Sequence, residues 1–191
     1  MVFRIYSGSL NRGIGFVELI VVIAMIAILT LIAFPYYKSI QENHALDMAA
    51  SQIIQDIRKA QEYALSSRID ASGNFPVGGY GIYFNKTSNS TEYVIFADRA
   101  TPSAPSGDKK RANNGTEDIE TIKVEEGVKI QDLAQNAIHA IFLPPDPQVF
   151  LTNSSGSALV GTDAEIKVCL ISNSSKCRVI KVNVAGLIWK D

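Results

Sequence analysis

Glu18 is the side chain in this sequence that most needs a chemical reason for its place. It is the one charge in the nineteen residues from Phe16 to Phe34, which apart from Thr30 are apolar. A carboxylate near the start of such a segment costs about 2–3 kcal/mol to place in hydrocarbon, and less at the interface. Cys169 and Cys177 form a second candidate group, suited in an oxidising compartment to a disulfide rather than a metal site. Asp98, Asp108, Glu117 and Asp118 offer the hard oxygens that calcium takes. Their spacing fits no established loop, and a solvated acidic surface is the better reading. Lys109-Lys110-Arg111 is the only basic cluster. Three charges on a flexible loop read as solubility, with a weak phosphate contact as the alternative. His44 and His139 have no visible partner and read as surface or packed residues. There is no Gly-rich phosphate loop, nucleophile elbow or His/Cys-rich metal spacing. The sequence offers no catalytic residue, metal site or cofactor, and reads as a non-enzyme.

The element that positions Glu18 is a helix. Nineteen residues at about 1.5 Å each give roughly 28 Å, the thickness of a bilayer's hydrocarbon core. Ahead of it, Met1–Gly13 carries Arg4 and Arg12 and no acid, which keeps that end cytoplasmic. A plain single-pass anchor would explain the apolar run but not Glu18. A secretory signal would explain the basic leader, yet the run is long and is followed by Pro35 and two tyrosines, not by a small-residue cleavage site.

A basic leader ending in Gly, an apolar helix with Glu near its start and a Pro some turns later resemble type IV prepilins and type II secretion pseudopilins. The resemblance implies that a prepilin peptidase cuts after the Gly, that the new N-terminus is methylated, and that the Glu is the fifth mature residue. A cut after Gly15 would make Glu18 third. A cut after Gly13 makes it fifth and Pro35 the twenty-second, so Gly13 is chosen and Ile14 becomes the methylated N-terminus.

Beyond Pro35, which should kink or locally melt the helix, Leu46, Ala50, Ile53, Ile57, Ala60 and Ala64 recur at helical spacing. With no Gly or Pro between Pro35 and Gly73, the helix can run to about Arg68. The period then changes to two. Tyr80, Ile82 and Phe84 share a face, and Tyr93–Asp98 forms the second arm of a hairpin. Residues 99–117 hold almost nothing to bury and read as a long, exposed, mobile loop. Further strands are expected near 119–124, 128–132, 138–143, 148–152, 165–172, 177–184 and 187–190, with Pro144, Pro145 and Pro147 between two of them. If Cys169 faces Cys177, then Glu165 faces Lys181 and Ile166 faces Ile180. Val168, Leu170, Val182 and Val184 join the apolar face, and the disulfide lies on the outer face beside a polar turn at 172–176. The sequons at Asn85, Asn89, Asn114, Asn153 and Asn173 mark turns rich in Asn, Ser and Thr. Glycosylation there needs a compartment and enzymes that the sequence does not name.

The runs Gly79-Tyr-Gly-Ile-Tyr-Phe, Phe96-Ala-Asp-Arg, Ile141-Phe-Leu-Pro-Pro-Asp and the final Val-Asn-Val-Ala-Gly resemble the GspH/FimT group of minor pseudopilins and pilins. That resemblance and the order helix-then-strands both give an α+β class, a long N-terminal helix packed on antiparallel sheets. The expected divisions are a leader (1–13), a long helix (14–68, membrane part about 16–34) and a β-rich domain (69–191). The resemblance implies a minor filament subunit whose Glu18 pairs with a neighbour's amine. It also implies other subunits, the prepilin peptidase, the inner-membrane assembly platform and lipid as partners, with the β domain outside the cytoplasm. The alternatives are a DNA-binding pilin of an uptake pilus and a tethered β domain that never assembles. A net charge of −1, from 19 acids and 18 bases, and a C-terminus with one Lys against one Asp give DNA binding no support.

Overall fold

The computed structural model describes residues 15–70, 73–85, 90–133, 137–144, 148–159, 161 and 163–191. Helix α1 spans Phe16–Leu65. Nine strands follow: β1 (Gly79–Asn85), β2 (Glu92–Asp98), β3 (Asp118–Lys123), β4 (Val128–Leu133), β5 (Ala137–Leu143), β6 (Gln148–Thr152), β7 (Asp163–Leu170), β8 (Cys177–Asn183) and β9 (Ile188–Lys190). The chain divides into two compact units, the first ending at Gln41 and the second running from Glu42 to Asp191.

In the first unit the helix lies bare. Every large apolar side chain from Phe16 to Phe34 is between 45% and 77% exposed. Its length and composition suffice to cross a membrane. α1 stays helical through Pro35, so the chain does not melt there. A proline removes one backbone bond, and long helical flanks on both sides carry the element across.

In the second unit the rest of α1 supplies one wall of a core. Leu46, Ala50, Ile53, Ile57, Ala60 and Ala64 are all at most 1% exposed, and Ala49 joins them. Burying each Leu or Ile of this stripe contributes roughly 1.5–3 kcal/mol, and the alanines bring the helix axis close to its neighbours. The helix stops three residues short of the expected Arg68, because Ser67 turns left-handed (φ 48°).

All strand pairs are antiparallel, in two sheets ordered β3-β2-β1-β5-β6 and β4-β7-β8-β9. Tyr80, Ile82 and Phe84 face the core with Ala97, Ile95 and Tyr93 opposite them. The β7–β8 register sets Cys169 against Cys177, Glu165 against Lys181 and Ile166 against Ile180, as expected. Val184 departs from the expectation, being 47% exposed beyond the end of β8. Cys169 and Cys177 are bonded. Although its parity faces away from the core, Cys169 is fully buried, and Cys177 is half-buried.

Native protein should resist alkylation at both cysteines until reduced. Replacing both by Ala should lower stability by about 2–3 kcal/mol for a loop of this size. An unmoved urea midpoint would contradict this.

Candidate functional site

Two regions hold the candidate residues, the start of α1 and the segment 99–117. The first helical bond of α1 is Leu19 N to Gly15 O at 3.1 Å, which places Glu18 in the first turn, where the helix dipole favours an acid. The span holds two polar side chains. Thr30 satisfies itself, its Oγ1 donating to Ile26 O at 2.8 Å. Glu18 is exposed and has no hydrogen bond or ion pair among the described residues. Gly13 and Ile14, the expected cleavage and methylation positions, lie outside the described residues, as do Asn89, Pro145 and Pro147.

The segment 99–117 is not the wholly exposed loop expected, for Gly107 and Glu117 are buried and residues 108–112 half-buried. It lies as a strap on the outer face of the five-stranded sheet, held by acids from below. Asp98 closes β2 with its carboxylate fully buried, and it accepts from Asp108 N (3.1 Å) and Lys109 N (3.0 Å). Glu117, 4% exposed, accepts from Arg99 N (3.0 Å) and Ala112 N (2.7 Å). Thr152 Oγ1 donates to Lys109 O at 2.5 Å. A Cβ at Gly78 would stand 2.1 Å from Asp98 Oδ2, and one at Gly107 (φ +80°) 2.4 Å from it, so both positions need glycine. Of the four acids expected on a solvated surface, Asp98 and Glu117 are therefore internal struts, while Asp108 and Asp118 remain partly exposed. Among the described residues no group of three or more acid, His or Cys side chains could hold a metal.

The basic cluster is likewise engaged. Lys109 Nζ donates to Ser106 O (3.2 Å) and Gly78 O (3.3 Å), stands 3.9 Å from Asp98 Oδ2, and lies over Phe150. Lys110 pairs with Asp108 at 3.4 Å. Arg111 grips both oxygens of Asp118 at 2.5 Å and covers the Tyr83 ring. Beneath, Tyr83 stacks on His139 (4.8 Å between centroids), and Phe96 meets the same imidazole edge-on. His139 is 2% exposed, with Nδ1 3.1 Å from Asn153 O, whereas His44 is exposed. The strap thus closes a second small core.

No family model, curated protein or solved structure matches this chain.

Burial pushes Asp98 up to about 6, against the lowering effect of the Lys109 and Asp108 amides and the Lys109 ammonium, with Glu117 adding to the rise. Glu117 is raised by the same cause. Burial pushes His139 down to about 4. The stability that Asp98 contributes is therefore full below its ordinary value of 3.8 and is lost as pH rises through about 6. That of His139 has the opposite sign, present above 6.5 and lost as pH falls through about 4. Comparison with Asp98→Asn isolates the first effect. The melting temperature of wild type minus that of the variant should fall between pH 4 and pH 7, and a flat difference would contradict it.

Proposed function

We propose that this chain is a minor filament subunit of a type II secretion pseudopilus or type IV pilus, released for assembly by prepilin-peptidase cleavage after Gly13. The observation that carries the reading is Glu18, which has no partner among the described residues and sits on a stretch of helix whose large apolar side chains from Phe16 to Phe34 are all exposed. Such a surface needs lipid or other apolar helices around it. Within a bilayer, a carboxylate in the first helical turn reaches the interface. Among packed helices it is cut off from water and requires a cation. The amine created at Ile14, carrying a methyl group, supplies that cation from an adjacent subunit. Glu18 is then tolerable in the membrane and satisfied in the filament, which makes it an assembly switch.

The chain accordingly sits in the inner membrane as a single span with its β domain outside the cytoplasm, until the assembly platform adds it to a filament. A plain tether gives Glu18 no task. The uptake-pilus reading needs free cations, and Lys109, Lys110 and Arg111 are already committed inside the strap. Shearing cells and fractionating the released filaments tests the proposal. The chain should appear in the filament fraction when the peptidase is present and stay in the membrane when it is deleted. Confinement to the membrane in both cases would favour the tether.

A further inference from the structure

We propose that Asn114, at the tip of the strap, is an acceptor for N-linked glycosylation. Five Asn-x-Ser/Thr triplets fall among eleven asparagines; seventeen serines and eight threonines in 191 residues would give about one or two by chance. Turns favour asparagine for a separate reason, since its side-chain oxygen accepts the backbone N–H two residues on. Asn183 shows that such a turn needs no hydroxyl. Its Oδ1 accepts from Ala185 N (3.0 Å) and Leu187 N (2.8 Å), with alanine at the third position.

At Asn114 the same turn carries the hydroxyl in addition. Oδ1 accepts from Thr116 N at 3.2 Å and from Thr116 Oγ1 at 2.8 Å. Both residues are exposed, and Asn114 Nδ2 donates to no acceptor among the described residues. Two donors on Oδ1 draw electron density from the carboxamide and hold it with its nitrogen outward. Asn153 has a comparable pair, Ser155 N (3.0 Å) and Ser155 Oγ (2.6 Å), but is half-buried and takes Ser157 N as well. Exposed Asn173 takes only Ser175 N. Asn114 alone of these three combines exposure with both contacts from a threonine.

The chemistry requires a sugar diphospholipid and a membrane oligosaccharyltransferase. Asn114 Nδ2 attacks C1 of the sugar and a C–N bond forms. The bond from C1 to the phosphate oxygen breaks, the lipid diphosphate leaves with the electron pair, and the Nδ2 proton passes to a base of the transferase. This inference rests on the export of the domain proposed above.

A tryptic digest of the chain purified from the cells that make it decides both points. The peptide Ala112–Lys123 should carry a saccharide at Asn114, lost in Thr116→Ala and kept in Thr116→Ser. The same digest reports whether Cys169 and Cys177 are joined. A bare peptide beside an intact disulfide overturns glycosylation and leaves export standing. A bare peptide beside free thiols overturns both. A saccharide that survives Thr116→Ala, or is not on Asn114, also overturns the assignment.

Discussion

Glu18→Val protein should insert into the membrane as well as wild type, or better, and be nearly absent from sheared filaments. The asymmetry follows from where the carboxylate is unpaired. In the bilayer a first-turn acid reaches water, and replacing it by valine removes a small insertion cost. In a packed bundle of apolar helices, the substitution leaves the neighbour's N-terminal amine as an uncompensated buried charge. Breaking one side of such a pair costs about 3–5 kcal/mol, enough for at least about a hundredfold loss of incorporation. Glu18→Asp keeps the charge on a side chain one methylene shorter and should retain part of the assembly. Equal abundance of wild type and Glu18→Val in filaments, at equal membrane levels, would refute the switch.

The second large effect is expected in the β domain. Asp98→Ala should free the strap, because the amides of Asp108 and Lys109 lose their fully buried acceptor. Each orphaned donor costs roughly 1–3 kcal/mol, so the two together should cost about 2–6 kcal/mol. The loss should lie at the lower end at pH 7, where the wild-type charge is itself costly to bury, and grow toward pH 5. Hydrogen exchange at residues 108 and 109 should rise well before exchange in β1 and β5. Unchanged protection of those two amides would show that the strap is held by something other than Asp98.

Periodicity made most of the fold legible. The stripe from Leu46 to Ala64 and the β7–β8 register were readable because one buried face imposes a spacing on the sequence, and a slip by one residue would turn every apolar side chain outward. The strap was not readable from its own residues. Its burial comes from backbone amides given to carboxylates and from cations laid on aromatic rings, and neither leaves a periodic trace. Asp98 and Glu117 looked like surface acids because residue type does not reveal a backbone donor twenty residues away or nearer.

One signal did point to the strap. Val94-Ile95-Phe96-Ala97 is apolar on both faces, and so is Ala140-Ile141-Phe142. A strand apolar on both sides asks for cover on both. The outward residues Phe96 and Ile141 are fully buried, with the Phe96 ring lying where a side chain at Gly81 would be. Segment 99–117, which follows β2 directly, lies on that side, with Lys109 over Phe150 and Arg111 over Tyr83. At the other end of the chain, the lone acid in an apolar run was legible because nothing in the helix itself uses it.

The intact mass of the chain recovered from sheared filaments tests the account most directly. The expected species is Ile14–Asp191 with one added methyl group and the disulfide formed, while cells lacking the peptidase yield only the full-length chain in the membrane. A filament species beginning at Phe16 would move the cut to Gly15. Finding only the uncut chain, in the membrane and never in filaments, would contradict assembly itself.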